Sequence, residues 1–317
     1  MIAPRPRLRF ILSKVPPPRR KRLTIAAGYL GMNGIVLCAD TQETYWGFKS
    51  NVDKIRHQTD MGLDVAITGA GDSDLIEAVG ERIEKAMFAD YSENMVRFPN
   101  EILAIIQRVV TCAFHDFIAP YAAFPVEQQP SYEMLILVSV NNAVNTYDSL
   151  FKISRTVVRE IATGGACIGV GLTLANRLFE KLLNPFMELD SLTLALCFII
   201  DEIKKSVEGC GGDTHLIACS SRQKLFGSPN DHEMKLIERQ FANSEPVINE
   251  LLTSIINPNC TDAHFEYLIT QIRERRELAS KDMSSNGGSL RENLKKLVVP
   301  SVRELPVTPS VSHSSED

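Results

Sequence analysis

Residues that commonly act as nucleophiles, bases or metal ligands are dispersed along this chain of 317 residues. The seven cysteines occur singly, at positions 38, 112, 167, 197, 210, 219 and 260. An odd number of cysteines without a CxxC pair argues against a secreted disulfide framework and predicts a reducing, cytoplasmic environment. The six histidines (57, 115, 215, 232, 264 and 313) show no metal-ligand spacing, so a built-in metal site is not expected.

Short catalytic and cofactor-binding motifs are also incomplete. The segment GVGLTL approaches a dinucleotide fingerprint but has Leu174 where a small residue is needed. The chain contains neither a Walker sequence nor a GxSxG elbow. We therefore expect no bound cofactor.

The first part of the chain shows strands followed by helices. The apolar segments LTIAAGYL and IVLCAD, joined by GMNG, predict a β-hairpin. A polar loop, TQETYWGFKSN, follows, then short strands at 52–57 and 63–68, the second ending in Gly69-Ala70-Gly71. Helical periodicity predicts helices over about 72–89 and 100–118.

The second part repeats this order. Strands are predicted at YEMLILVSV and after position 145, and a glycine-rich turn at 162–171 leads to helices at about 173–183 and 191–207. Strands at 214–219 and 223–226 and helices at 232–256 and 261–278 complete the domain. Such grouping predicts an α+β fold in which two stacked, mostly antiparallel sheets lie between outer helices, a four-layer αββα sandwich.

Size and composition predict one large domain over residues 24–278 with a tail at each end. The longest strongly apolar run, residues 192–200, is too short to span a membrane, so no membrane partner is expected. Residues 279–317 are rich in serine, proline and asparagine, which predicts a disordered tail.

The N-terminal extension, residues 1–23, is basic and rich in proline. Its eight basic residues are Arg5, Arg7, Arg9, Lys14, Arg19, Arg20, Lys21 and Arg22. It could bind nucleic acid, act as an organelle transit peptide, or be absent from the natural protein. Phe10 is its only aromatic residue, which argues against nucleic-acid binding.

The sequence TIAAGYLGMNGIVLCADTQET, followed by NVDKI, resembles the start of a mature proteasome β subunit, a member of the N-terminal-nucleophile (Ntn) hydrolases. In that family a threonine begins the first strand, an aspartate ends the second, and a lysine follows a short loop. Thr24, Asp40 and Lys54 stand at the matching positions, and Thr44 matches a further family threonine. Alone, each residue has an ordinary structural interpretation, and the joint spacing carries the resemblance.

Three later segments extend the resemblance to about residues 24–226. VAITGAGDSD is similar to the strand and turn whose glycine, here Gly69, offers a backbone N–H to the oxyanion. IGVGLTLANRL resembles the I-G-S-G turn and its helix, and CGGDTHLIACS resembles the S-G-G turn and its strand. The segments occur in the family order.

The resemblance implies a threonine-type peptidase or amide hydrolase. The Thr24 hydroxyl would be the nucleophile, and its own α-amine the base, because the pKa of a free α-amine, about 7.7–8.0, lies close to working pH. Lys54 would tune the proton transfer, Asp40 would position Lys54, and Gly69 would stabilise the oxyanion. A peptide or protein substrate and self-association into a ring or stacked assembly are also implied.

Several positions depart from the family pattern. Thr24 is internal, and the residue before it is Leu23, not the glycine of self-processing members. One hypothesis is that Leu23 marks a TTG or CTG initiator codon, so that removal of methionine exposes Thr24. Val170 replaces the I-G-S-G serine, and the S-G-G serine aligns with Cys210. The family aspartate near that turn aligns with Val207, for which Glu208 is a candidate substitute.

These departures leave two alternative functions. The chain could be a catalytically silent, structural subunit of the same fold. It could also be a small-molecule amidase built on the Ntn scaffold.

Overall fold

The computed structural model describes residues 21–22, 24–45, 48–60, 62–93, 99–142, 145–223, 225–256 and 260–285. Most of the N-terminal extension and of the predicted tail, as well as Leu23, lies outside these ranges.

The described residues form thirteen strands: β1 (Lys21–Arg22), β2 (Ile25–Leu30), β3 (Ile35–Asp40), β4 (Gln42–Tyr45), β5 (Phe48–Asn51), β6 (Ile55–Asp60), β7 (Leu63–Asp72), β8 (Tyr132–Asn141), β9 (Thr146–Ser154), β10 (Val157–Ile161), β11 (Gly164–Gly169), β12 (Thr214–Ser220) and β13 (Leu225–Gly227). Six α-helices accompany them: α1 (Ser73–Glu93), α2 (Pro99–Ala113), α3 (Leu172–Leu182), α4 (Leu189–Ser206), α5 (Asp231–Ile256) and α6 (Asp262–Ser285).

Two antiparallel sheets form the centre of the fold. One has the order β1-β7-β8-β9-β10, with β6 paired to the same β7, and the other has the order β11-β2-β3-β12-β13. The hairpin of β2 and β3 is the predicted one, and Gly31 donates its N–H to the Gly34 carbonyl across the turn at 2.8 Å.

Three apolar layers hold the sheets and helices together. One lies between the two sheets, around Leu37, Leu135 and Leu150. A second joins the β7–β9 sheet to α1 and α2, and a third joins the β2–β3 sheet to α3 and α4. Since apolar layers cover both faces of each sheet, β3 is buried along its whole length. The predicted αββα sandwich is confirmed.

Three predictions for the first part of the chain are wrong. The polar segment 41–51 contains the antiparallel pair β4–β5 rather than a loop alone. Periodicity did not detect this hairpin because it lacks an alternating apolar face. The strand predicted at 52–57 begins only at Ile55, and β7 continues through Gly69 and Gly71 to Asp72, since β8 pairs with it along this stretch.

The glycine-rich segment 162–171 was predicted to be a turn, but it contains strand β11. It pairs with β2 from Gly164 to Gly169. A Cβ atom at Gly165 would lie only 2.4 Å from the Tyr29 ring, so a larger residue would not allow β11 to approach β2. Tertiary packing here overrides the low strand propensity of glycine.

The last helix also differs from the prediction. α6 continues to Ser285, past the predicted end at residue 278. The first glycines after it are Gly287 and Gly288, so no helix-breaking residue lies within the added stretch.

One segment of the described chain, Pro99–Tyr121, is long and apolar enough to cross a membrane by length and composition. It comprises α2 and the turns after it. In the fold its apolar side, including Ile102, Ile106 and Val110, packs in the same layer as α1. A helix that packs against a sheet has an apolar side of this kind, so its composition is explained by the packing.

A substitution at Phe151 tests the apolar layer between the β7–β9 sheet and helices α1 and α2. Its side chain is fully buried there, so Phe151→Ala should lower the free energy of unfolding by about 3–5 kcal/mol. Phe186 is 81% exposed and provides the matched control, for which a change within about 0.5 kcal/mol is expected. Urea denaturation followed by circular dichroism measures both; equal losses would contradict the layer assignment.

Candidate active site

One end of the sandwich collects the four predicted site residues. Thr24 directly precedes β2 and Asp40 ends β3, and because these strands are antiparallel both lie at the same end. Lys54 directly precedes β6, whose first residue, Ile55, pairs with Thr68 of β7. Gly69 follows Thr68, so the sheet that contains β6 and β7 brings Lys54 and Gly69 to this end as well.

Thr24 is fully buried and anchored through its backbone. Its carbonyl accepts a hydrogen bond from the Val170 N–H at 2.9 Å. Gly169 has a φ of +96°, and a Cβ atom there would lie 1.9 Å from the Thr24 carbonyl oxygen, so only glycine fits. The Thr24 Oγ1 atom is buried and has no hydrogen-bond partner among the described residues.

Asp40 connects three parts of the site. Its Oδ1 accepts a hydrogen bond from the Ile25 N–H at 3.1 Å and lies 2.8 Å from the Lys54 Nζ. Its Oδ2 accepts a hydrogen bond from the Gly211 N–H at 3.0 Å, in the turn before β12. Because Ile25 follows Thr24 directly, the carboxylate ties Lys54 to the strand that carries Thr24.

Lys54 is a lysine without solvent contact. The side chains of Lys54 and Asp40 are both 0% exposed, and the Lys54 ammonium also donates to the Gln42 carbonyl. Withdrawing two charges from water costs several kcal/mol per ion, which attraction and additional hydrogen bonds must offset. Burial raises the pKa of Asp40, while the Lys54 charge and the Gly211 and Ile25 donors oppose that rise.

The space around Gly69 leaves no room for a side chain. A Cβ atom there would lie 2.6 Å from the Ile76 side chain of α1, so glycine allows α1 to approach β7. On the edge of β7, β1 pairs Lys21 with Asp72 and Arg22 with Gly71.

A cavity of about 310 Å³ opens beside Lys54. Ile67 and Ile76 form apolar parts of its wall, and Arg56 and Glu77 contribute charged groups. The Arg56 guanidinium is already held by both oxygens of Glu84, at 3.1 and 2.8 Å. The cavity therefore offers an apolar wall next to the segment that carries Lys54.

The positions that depart from the family pattern supply no replacement for the missing helpers. Val170 is 47% exposed beside Thr24 and has no polar side-chain atom. Glu208 is exposed on the turn between α4 and β12. Burial and the Asp40 charge raise the pKa of Cys210 to about 12, so this thiol stays protonated at neutral pH.

The sequence did not reveal two further contacts. The Gly169 position against the Thr24 carbonyl depends on the pairing of β11 with β2, which was predicted to be a turn. Asp53 lies within the matched segment NVDKI, and the structure pairs it with His215, 162 residues further along the chain. Its place directly before Lys54 was the only signal that could have drawn attention to it.

Comparison with known proteins identifies solved structures that have a similar fold. No protein-family model and no curated protein sequence matches the chain. Anbu (ancestral beta-subunit) from Yersinia bercovieri matches in structure with 12% identity and a TM-score of 0.57, covering 72% of this chain and 97% of its own. The chain has the fold of a proteasome-like subunit.

Two other Anbu structures give the same result. A Gly-1 mutant from Hyphomicrobium sp. strain MC1 is 14% identical, with a TM-score of 0.57 over 72% of this chain and 96% of its own. The helical assembly of the Anbu complex from Pseudomonas aeruginosa is 12% identical, with a TM-score of 0.57 over 76% of this chain and 100% of its own. At such identities the likeness concerns the fold alone.

The buried ion pair makes a stability prediction. Asp40→Asn removes the charge that compensates the Lys54 ammonium, so it should lower the free energy of unfolding by about 3–5 kcal/mol. Glu81→Gln breaks the exposed ion pair with Lys85 and should change it by less than about 0.5 kcal/mol. Chemical denaturation at pH 7 compares the two variants. A small loss for Asp40→Asn would show that Lys54 is compensated in another way.

Proposed function

We propose that this chain is a subunit of a proteasome-like assembly that hydrolyses peptide bonds, with Thr24 as nucleophile once residues 1–23 are removed. The observation that carries the proposal is the buried pair of Asp40 and Lys54, bound to the strand that starts directly after Thr24. A buried ion pair contributes little to stability and is expensive to build, so its contact with Ile25, the residue after Thr24, favours a catalytic role.

The Thr24 hydroxyl, which has no hydrogen-bond partner among the described residues, supports the same proposal. A buried polar atom without a partner costs about 1–3 kcal/mol, and a catalytic role would account for that cost. Cleavage before Thr24 would convert its amide nitrogen into an α-amine on the same residue. That amine can take the hydroxyl proton, which gives Oγ1 a function and a partner.

The reaction would proceed in two steps. The amine takes the proton as Oγ1 attacks the scissile carbonyl, and the Gly69 N–H stabilises the oxyanion. Collapse of this intermediate transfers a proton to the leaving amine and leaves an ester on Thr24. Water, activated by the same α-amine, then hydrolyses the ester. The Lys54 charge favours the neutral amine throughout, and Asp40 holds Lys54 in place.

The edge of β7 favours a peptide over a small amide as substrate. β6 covers this edge only as far as Thr68, and β1 covers Gly71 and Asp72. A strand added to a free edge is a common mode of peptide recognition. Removing residues 1–23 would therefore free the nucleophile and expose the edge along which an extended peptide can pair.

The cavity beside Lys54 would receive a substrate side chain. Its walls of Ile67 and Ile76 favour an aliphatic group, because burying apolar surface is favourable by about 25 cal/mol per Å². The pairing of Arg56 with Glu84 leaves its guanidinium engaged, which disfavours an acidic side chain there.

Self-association and a cytoplasmic location complete the proposal. An Anbu structure from Pseudomonas aeruginosa is described as a helical assembly, which supports an oligomeric arrangement for a chain of this fold. The seven cysteines are all free and five of them are buried, in keeping with a reducing compartment. No nucleic acid, membrane or cofactor enters the proposed reaction.

A catalytically silent subunit is the second candidate. Val170 stands beside Thr24 where a polar helper is expected, and β1 runs along the edge of β7 that a substrate would need. If residues 1–23 stay attached, Thr24 has no free amine and the edge stays covered. The two candidates therefore differ in one property, the N-terminus of the mature protein.

Exposure of Thr24 should switch on activity. We suggest folding the full chain with a site-specific protease sequence placed before Thr24 and then cutting it to leave Thr24 first. The cut protein should hydrolyse a fluorogenic peptide, whereas the uncut protein should not. Thr24→Ala should reduce turnover of the cut protein by at least about 1,000-fold, because the nucleophile is lost.

Three results would contradict this proposal or redirect it. Equal turnover by the Thr24→Ala protein would favour the silent subunit. Turnover of a small acyl amide without turnover of the peptide would favour the amidase. An intact mass of the natively expressed protein that corresponds to a start before Thr24 would remove the base from the mechanism.

The native protein should be an oligomer. Size-exclusion chromatography with light scattering should give a mass several times that of one chain, and electron microscopy should show rings or stacks. A monomer at micromolar concentration would contradict the assembly but not the Thr24 chemistry.

A further inference from the structure

Asp53 forms a short polar bridge over the backbone of Lys54. Its Oδ1 accepts a hydrogen bond from the Ile55 N–H at 3.1 Å, which closes a turn around the lysine. The same Oδ1 lies 2.8 Å from Nδ1 of His215. The turn that presents Lys54 is thus anchored to a different strand, β12.

The segment that carries His215 also holds Asp40. Gly211 donates its N–H to Asp40, and the Asp213 N–H donates to the Thr41 hydroxyl at 2.7 Å. The amide of Asn51 donates to the Asp213 carboxylate at 3.4 Å. Residues 211–215 therefore contact both the aspartate and the segment that leads to the lysine.

Cavities border the Lys54 turn on two sides. Asp53 and Ile55 line the cavity of about 310 Å³ described above, and they also line a second one of about 190 Å³ next to His57 and His215. Atoms that face a cavity lack packing partners on that side. Hydrogen bonds must then contribute more to holding the turn in one conformation.

The electrostatics agree with a real pairing of Asp53 and His215. Burial raises the pKa of Asp53, but the His215 and Ile55 hydrogen bonds and the charges of His215 and His57 outweigh it, so the pKa lies below its usual value. The side chains of His215 and Asp53 are 33% and 65% exposed. Pairs with this much exposure contribute little to global stability.

We propose that Asp53 and His215 form a positioning pair that fixes the Lys54 turn, so that the lysine ammonium stays aligned between Asp40 and Thr24. This proposal rests on the proposed Thr24 chemistry and adds to it Asp53 and His215, which are not among the four predicted site residues. A misplacement of about 1 Å near reacting groups costs about 100-fold in rate. Loss of the pair should therefore affect turnover far more than stability.

Three replacements of His215 give a graded test. In His215→Asn the side-chain amide nitrogen can lie close to the position of Nδ1, so the contact with Asp53 is retained. His215→Gln places its amide nearer the position of Nε2, and His215→Leu removes the polar atom. In the cut protein, kcat should fall by about 10- to 100-fold for Leu and Gln. It should stay near wild type for Asn, with KM unchanged in all three.

A distant histidine supplies the matched control. His264 lies 3.4 Å from Glu250 in the α5–α6 pair, with side chains 42% and 52% exposed. His264→Leu should leave kcat unchanged, and unfolding midpoints should be similar for both Leu variants. Equal kcat for His215→Asn and His215→Leu would overturn the positioning role, as would a loss of stability in His215→Leu that accounts for its lower activity.

Amide hydrogen exchange tests the pair without relying on activity. His215→Leu should accelerate exchange of the Ile55 amide by about 10-fold, because its acceptor becomes mobile, whereas His215→Asn should not. If the cut wild-type protein shows no Thr24-dependent turnover, the proposed function fails and exchange alone decides. Unchanged exchange at Ile55 in His215→Leu would then overturn the positioning pair.

Discussion

The buried ion pair of Asp40 and Lys54 is the interaction on which the rest of the site depends. Two charges without solvent contact are tolerable only when every remaining donor and acceptor is satisfied. Here the carboxylate accepts the N–H groups of Ile25 and Gly211, and the ammonium also contacts the Gln42 carbonyl. The strands that carry these groups must therefore end at one place, and the antiparallel pairing of both sheets achieves this.

The pair also explains why Thr24 is held so firmly. Asp40 binds the residue after Thr24, and the N–H of Val170, directly after β11, binds the Thr24 carbonyl. The positive φ of Gly169 allows this close approach. Contacts to the backbone hold the threonine on both sides, while its hydroxyl has no hydrogen-bond partner in the part of the chain that the structure describes. Such an arrangement has a clear use if the residue acquires a free amine, and little use otherwise.

The N-terminal extension and the site are linked through the edge of β7. β1 covers the end of that edge, where Lys21 pairs with Asp72 and Arg22 with Gly71. One cleavage would change two properties together, the charge at Thr24 and the access of a peptide to the strand. A silent subunit and an active one could therefore share the same fold and differ only in maturation. Val170 stands where the family has a serine, so the distinction between a silent and an active subunit needs an experimental test.

Much of the fold followed from the sequence by itself. Apolar runs and helical periodicity placed the central strands of both sheets and all six helices, because burial on one or two faces imposes those patterns. The spacing of Thr24, Asp40 and Lys54 identified the candidate site, since short-range order along β2 and β3 determines it. The β4–β5 hairpin and strand β11 escaped prediction because polar and glycine-rich strands carry no such periodicity.

Only the tertiary structure decided which distant residues meet. The burial of Lys54, the Gly211 donor and the contact of His215 with Asp53 all depend on β12 lying beside β3, a pairing of residues about 170 positions apart. Local sequence spacing does not predict which distant strands pair, because backbone hydrogen bonds between two strands do not depend on how many residues separate them along the chain. The local order of residues thus specified the nucleophile candidate, and long-range strand pairing specified the environment in which it would act.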